Sequence, residues 1–436
     1  MHLKKHFVVV AGLLALGCDA GDDGRQDNPG AGIGSLGGTE DGGGEATGGD
    51  TAPTTTGATQ GAESGAGSDS TGEPSAPDGP KFDLGNGESG GSGGPNLGCD
   101  SALDEDRDMD GWTKLDGDCN DCDANVNPGA VEVEVTEPGK DGVIPDPADE
   151  DCDGVVDNVP MPCDGAISFD DADPFNAAAA IGLCDVAEGP MDAGVVDAQW
   201  VRADGTVVAG GTVQHGMLPG FGPNVAAREG TNVLGLSSGA ARLPDQAGFC
   251  GDFSCNGTGG GTAPAGFPQD VPECPGSSSI NDDYALELTL RAPSNATGFQ
   301  FDFDFYSYEY PEWVCTSFND QFIALVEPQP EGSIDGNVSF DGVGNPVSVN
   351  IAFFDVCDGC ALGTDELTGT GFDQFNDAGA TSWLSTTSPV EGGSEFTIRF
   401  ALWDTGDSAY DSTVLVDNFR WIADGGTVDV GTNPAG

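Results

Sequence analysis

The feature that most constrains the fold is a period-two alternation in the second half of the chain. In GFQFDFDFYSYEY, which begins at Gly298, Phe299, Phe301, Phe303 and Phe305 fall on one face and Gln300, Asp302 and Asp304 on the other. That is the spacing of a half-buried strand and not of a helix. Val347, Val349, Ile351 and Phe353 repeat it, as do Phe396, Ile398, Phe400 and Leu402, while Gln321–Glu327 and residues 413–421 read as further strands. Gly, Asn, Asp and Pro bound these runs, and no long amphipathic pattern competes. All six Trp and 20 of the 22 Phe follow Cys99, enough apolar bulk for a two-sheet core. The expected fold is all-β: an antiparallel, jelly-roll-like β-sandwich over residues 161–425, with a polar tail at 426–436.

The first residues set the compartment. Lys4 and Lys5 precede an apolar run over residues 7–16, then Gly17 and Cys18. The run is too short to span a bilayer and is patterned like an export leader. Leu14-Ala15-Leu16-Gly17-Cys18 resembles the bacterial lipobox, which implies removal of residues 1–17 and a lipid on Cys18. The chain has 13 Cys; with Cys18 set aside, the remainder is an even set suited to disulfides in an oxidising compartment. The expected location is the cell envelope, at the outer membrane or surface of a Gram-negative bacterium, with the membrane met through that lipid only. Residues 18–98 are mostly Gly, Ser, Thr, Ala, Pro and acid with one aromatic, Phe82. Too little apolar surface is present to offset the entropy of ordering, so a disordered tether is expected there.

Lys and Arg total 13 against 74 Asp and Glu, a formal net charge of −61. Nucleic acid and anionic membrane surfaces need a basic footprint, so both are excluded as charge-driven partners, and cations are the natural ones. Of three His, only His215 lies beyond the leader, which excludes His-based triads and multi-imidazole zinc sites.

The acids are most ordered in residues 99–160, expected to form a small Asp-rich module held by disulfides and metal. Asp106, Asp108 and Asp110 alternate before Gly111, so three hard oxygens can converge while Gly permits the sharp turn. An EF-hand loop would need Glu where Gly117 stands, so that loop is rejected. Asp116, Asp118 and Asp121 are the candidates to close the shell, with Asp151, Asp153 and Asp157 beyond them. Carboxylates suit Ca²⁺, whereas copper or zinc would want imidazole, thiolate or thioether; the segment has no His and one Met, Met109. Cys119, Cys122, Cys152 and Cys163 match a four-Cys zinc set by count, but export favours disulfides, with Cys119 and Cys152 as candidates. The matches at 108–111, 117–119, 127–132 and 151–157 together resemble the MopE-type metal-binding repeat of bacterial surface proteins. An insertion at 133–149 and the extra Cys122 depart from that pattern. The family label mentions copper, yet these ligands point to calcium.

A second cation site at the sheet ends is expected among Glu309, Glu312, Asn319 and Asp320, and among Asp404, Asp407, Asp411, Asp417 and Asn418. FDFDFYSYEYPEWVCTSFNDQFIALVEP (301–328), with TNVLGLSSGAA (231–241) and DSTVLVDNF (411–419), is similar to the choice-of-anchor L domains of bacterial surface proteins. The resemblance implies a fold and a surface context but no reaction. That family's usual C-terminal anchor has no counterpart in the final GTNPAG, which leaves Cys18 as the expected anchor.

Several motifs imitate catalytic ones. Gly235-Leu236-Ser237-Ser238-Gly239 has the hydrolase-elbow spacing, but no His follows it. Cys357 and Cys360 have redox spacing without a βαβ setting and read as a structural disulfide. His215 reads as a lone surface or turn residue. Gly257, Gly259 and Gly261 lie in a polar loop without the strand-to-helix setting that phosphate binding needs. The expected function is a non-enzymatic, calcium-binding surface protein active in adhesion or in glycan or protein binding. The alternatives are an exported glycoside hydrolase using two carboxylates and a copper-scavenging surface protein. No organic cofactor is expected.

Overall fold

The computed structural model describes residues 101–435 except 134–147 and positions 159, 256, 352, 375, 376 and 424. The leader, Cys18 and the expected tether lie outside these residues. Twelve strands follow in chain order among the described residues: β1 (Gly194–Val201), β2 (His215–Leu218), β3 (Val233–Ser237), β4 (Ile280–Arg291), β5 (Gly298–Ser307), β6 (Gln321–Glu327), β7 (Val347–Ser348), β8 (Gly379–Ala380), β9 (Leu384–Pro389), β10 (Glu395–Thr405), β11 (Ser412–Ile422) and β12 (Gly431–Pro434). One sheet runs β1-β4-β10-β6-β7 and the other β12-β9-β5-β11-β3-β2, with β8 beside β5. Neighbouring strands within both sheets pair antiparallel. The one α-helix among the described residues, Pro174–Ala179, is a short turn capped by Asp173, whose carboxylate accepts from the Phe175 amide.

The phenylalanines of β5 meet the apolar face of the opposite sheet. Phe301 packs edge-on against Phe400 at 5.0 Å, Phe299 stacks on Phe396 at 5.3 Å, and Phe303 meets Phe322 at 5.1 Å. Burying each such ring stabilises the fold by about 1.5 to 3 kcal/mol over exposure.

The outer faces are not bare. Phe221, Tyr306, Phe372 and Leu415 cluster outside β5 and β11, and Phe267, Ile323 and Trp403 outside the other sheet. This corrects the expected solvent face of β5, where Asp302 and Asp304 are 1% and 0% exposed. Both oxygens of Asp304 and Oδ2 of Asp302 are satisfied from the covering layer and neighbouring chain, while Asp302 Oδ1 is buried without a hydrogen-bond partner. Arg228 Nε lies 2.7 Å from Asp302, the Tyr306 hydroxyl donates to Asp304 at 2.7 Å, and Asn418 Nδ2 donates to Asp302 at 2.8 Å.

Three other expectations change. The alternation from Val347 to Phe353 yields only a two-residue strand, because the chain turns after Ser348, with the Ile351 amide donating to the Ser348 carbonyl. Within the stretch read as a polar tail, β12 pairs with β9, Gly431 opposite Thr387. His215 is fully buried in β2, stacked on Trp200 at 4.0 Å. Its Nε2 lies 3.0 Å from the Asp171 carbonyl and its Nδ1 3.0 Å from the Tyr284 hydroxyl. A carbonyl only accepts, so Nε2 carries the proton of the neutral ring and Nδ1 accepts; burial pushes the ring's pKa down to about 4.

Disulfides join Cys119 to Cys152, Cys163 to Cys184, Cys250 to Cys255, Cys274 to Cys315 and Cys357 to Cys360. Cys122 is also disulfide-bonded, so the thiols that matched a zinc set by count are bridged. Ser237 is 1% exposed and its hydroxyl donates to the Ser412 carbonyl, which makes the elbow-like motif a packed strand end.

Candidate metal centres

The described part of residues 101–158 contains no strand or helix, and its chain is held by its own carboxylates. Asp106 accepts from the Met109 and Gly111 amides at 2.7 and 3.1 Å, and Asp110 from the Trp112 amide at 2.8 Å. Asp118 accepts from the Asn120 amide at 2.7 Å and Asp121 from the Arg107 amide at 2.9 Å. Each of these bonds fixes one carboxylate oxygen. Ligand oxygens of Asp106, Asp108 and Asp121 lie within 4.8 Å of one another, as do those of Asp108, Asp110 and Asp118. Oδ2 of Asp108 and Oδ2 of Asp118 are buried without a hydrogen-bond partner. Burial, reinforced by the charge of Asp108, pushes the Asp110 carboxyl up to about 6.

The same turn recurs 43 positions later. Met109 and Cys152 both take left-handed φ, at 69° and 59°, and Gly111 and Gly154 follow at 96° and 90°. Gly111 donates to Asp106 and Gly154 to Asp149, five residues back in each case. Asp110 accepts from Trp112 and from Asn127 Nδ2; Asp153 accepts from Val155 and from Asn158 Nδ2. Around this second turn, Glu132, Asp149 and Asp151 form one oxygen cluster and Glu132, Glu150 and Asp157 another. Glu132 accepts from the Asp157 amide at 2.6 Å, and burial pushes it up to about 7.

Sequence spacing thus placed Asp106, Asp108, Asp110, Asp118, Asp121, Asp151 and Asp157 in oxygen clusters. It missed Glu132, Asp149 and Glu150, which follow or interrupt the pattern around the insertion. Asp116 stands apart, accepting from the Thr113 hydroxyl at 2.6 Å, and Asp153 braces its own turn.

Asn127, fully buried, wires the first cluster to the sandwich. Its Nδ2 donates to Asp110 at 2.8 Å, and its Oδ1 accepts from the Gly129 amide and, at 2.8 Å, from the Ser294 hydroxyl in the β4–β5 turn. Asn295 next door exchanges two bonds with the Val131 backbone, at 3.0 and 2.8 Å.

The expected acids of the sandwich divide. Glu309, Asp320, Asp404 and Asp411 gather at one sandwich end with Asp282, which sequence reading did not single out; Asp404 feels the charges of Asp320, Asp411 and Asp282 most directly, and Glu309 that of Asp320. Asp282 arrives there through a β-bulge, since Leu402 pairs with Tyr284 but Asp404 with Asn281. Burial pushes Asp320 up to about 7, and burial together with the neighbouring acids pushes Asp411 to about 8, Glu309 to about 10 and Asp404 strongly upward. Glu312 is exposed and interacts with Asp377, Asn319 accepts from the Asn350 amide, and Asp407 braces the Ala409 amide. Asp417 and Asn418 do not belong to this group. They lie six residues along the extended strand from Asp411, about 20 Å, where Asp417 accepts from the Arg228 amide and Asn418 donates to Asp302.

Residues 269–419 match the family model of the choice-of-anchor L domain. No curated protein and no solved structure matches the chain. The choice-of-anchor L match runs from the loop before β4 into β11 and marks a cell-surface or exported protein. β1, β2 and β3, which widen both sheets, precede the matched stretch, and so does the 231–241 segment that resembled the family in sequence.

Proposed function

We propose that the chain is a lipid-anchored surface protein whose Asp-rich repeat, of MopE type, binds Ca²⁺ and thereby fixes the base of a sandwich that binds a glycan or protein partner. The observation that carries the reading is the convergence of Asp106, Asp108, Asp110, Asp118 and Asp121, with Oδ2 of Asp108 and of Asp118 buried and unsatisfied. Asn127 links that cluster to the β4–β5 turn, so an ion on Asp110 would be felt in the sandwich. An all-oxygen donor set favours calcium over copper, and extracellular sites of this kind hold it at about 10⁻⁴ to 10⁻³ M. Cys18 supplies the lipid, and the role is binding, not catalysis.

The test is thermal unfolding of residues 19–436 with calcium, magnesium, copper or chelator. A calcium-specific rise in Tm is expected, corresponding to about 2.7 kcal/mol at a hundredfold excess over Kd. No rise, or a rise with copper alone, overturns the calcium reading. A glycan array and a cell-binding assay in calcium test the binding role, which blank results in both would remove.

A further inference from the structure

The outer face of the five-stranded sheet is covered over only part of its length. On β10, Phe396, Ile398 and Phe400 face the core, so Thr397, Arg399 and Ala401 face outward. Phe267 and Ala263 join Ala401, Trp403 and Ile323 in the covering layer, and that cover stops one step short of Arg399. There a cleft of about 320 Å³ opens, within the roughly 300 to 1,000 Å³ of sites that take small ligands or single side chains.

Strand register sets its floor. Arg399 stands opposite Glu287 of β4 and Leu325 of β6, and Thr397 opposite Glu327. The guanidinium is turned away from the opening. Its Nε donates to Glu287 Oε2 at 2.7 Å, Nη2 donates to the same oxygen, and Nη1 donates to the Ala203 carbonyl at 3.0 Å. Gly205, at φ +86°, lets the backbone close over it, since a Cβ there would stand 2.6 Å from Nη2. The Thr397 hydroxyl donates to the Glu327 carbonyl at 3.5 Å. The cleft therefore offers acceptors: Oε1 of Glu287 and the exposed carboxylates of Glu327 and Asp204. Leu325, Pro264 and Ala265 add an aliphatic wall.

Three carboxylates against one guanidinium, itself already paired, turn anions away. No aromatic ring lines the cleft to give a sugar a flat apolar face. A long aliphatic cation answers both features of the lining, with methylenes on the wall and the charged head among the carboxylates. The formal net charge of −61 steers such groups toward the protein.

We propose that this cleft takes a Lys or Arg side chain of a protein partner, with Leu325 against the stem and Glu327, Asp204 and Glu287 around the head. The partner so bound is a protein, on the reading above that the sandwich binds a partner, and its docking uses none of the repeat's carboxylates.

The test is an NMR titration of residues 19–436, methyl-labelled at Leu and Ala, in calcium and physiological salt. The probes are the acetylated amides of lysine and arginine, with that of norleucine as the uncharged control. Saturable shifts of the Leu325 and Ala265 methyls are expected with the two cations and not with norleucine. Glu327→Gln with Asp204→Asn is expected to weaken binding about fivefold, the loss of two exposed ion pairs of ordinary strength. The same charge removed from the stretch covering the other sheet, by Asp358→Asn with Asp365→Asn, is expected to change nothing. Should the cleft pair not fold, Glu327→Gln alone is expected to weaken binding in the same direction. Absent shifts, equal shifts with norleucine, undiminished binding by the folded cleft variant, or equal weakening by the control pair overturns the proposal. A chain that still binds cells without those shifts loses the cleft but keeps the binding role, whereas blank glycan and cell assays remove that role separately.

Discussion

The Asp-rich repeat and the acid-lined end of the sandwich use one residue type in opposite ways. In the repeat the carboxylates are the scaffold, because they fix backbone amides, and Asp108 and Asp118 each keep one buried oxygen without a hydrogen-bond partner. In the sandwich the scaffold is the pair of sheets, and the acids are carried into it by strand ends and a bulge. Charge that builds structure in the first place therefore strains it in the second, and substitutions should act with opposite signs in the two regions.

The largest expected effect is on the repeat. Opening the Cys119–Cys152 bridge with a Ser pair releases a loop of sequence separation 33, which the chain-entropy estimate puts at about 3 to 4 kcal/mol. Hydrogen exchange should speed up across residues 101–158 while β4, β5 and β10 stay protected; equal loss in both regions would break the comparison. Next comes Asn127→Ala, which removes the bonds to Asp110, Gly129 and Ser294 from a fully buried side chain. A cost of about 2 to 3 kcal/mol is expected, read as a lower Tm together with a weaker response of the sandwich to calcium.

Asp404→Asn sharpens the contrast. In chelator above pH 8, where Asp320 and Asp411 are ionised, it should raise stability by about 1 to 2 kcal/mol, since one of several mutually repelling buried acids is gone. Asp110→Asn in the same buffer should not raise it, because Asp110 is tied to Trp112 and Asn127. The smallest effect is an internal control at His215. Its folded pKa of about 4 lies below the unfolded value of 6.5, so the stability from burying the neutral ring is present above 6.5 and is lost as pH falls from there toward 4. The ring's carbon-bound proton signals should not titrate between pH 8 and 5.5, with or without calcium; a midpoint near 6.5 would contradict the buried neutral ring.

What was legible in the sequence follows from the same contrast. β5, β6, β10 and β11 could be read because alternation is a local signal, and Asp106, Asp108 and Asp110 because a metal loop is one too. The burial of Asp302 and Asp304 could not be read, since alternating acids look solvated until Arg228 and the outer layer arrive from elsewhere in the chain. Gly431–Pro434 is a strand only by virtue of pairing with β9. Glu132 and Asp149 meet across an insertion, and Asp282 enters its cluster through a register shift that no spacing rule contains. His215 offered one imidazole without a pattern, and only Trp200 and Tyr284 around it give it a place.

The Cys119–Cys152 bridge also bears on how the molecule behaves under force. Tension applied along the chain between the N-terminal segment and the sandwich must pass through the repeat, and a covalent bond at these two positions routes it past everything between them. The bypassed stretch would extend to about 110 Å if it were free to unravel, so the bridge keeps the display distance short under load and shields the insertion and Glu132 from the pull.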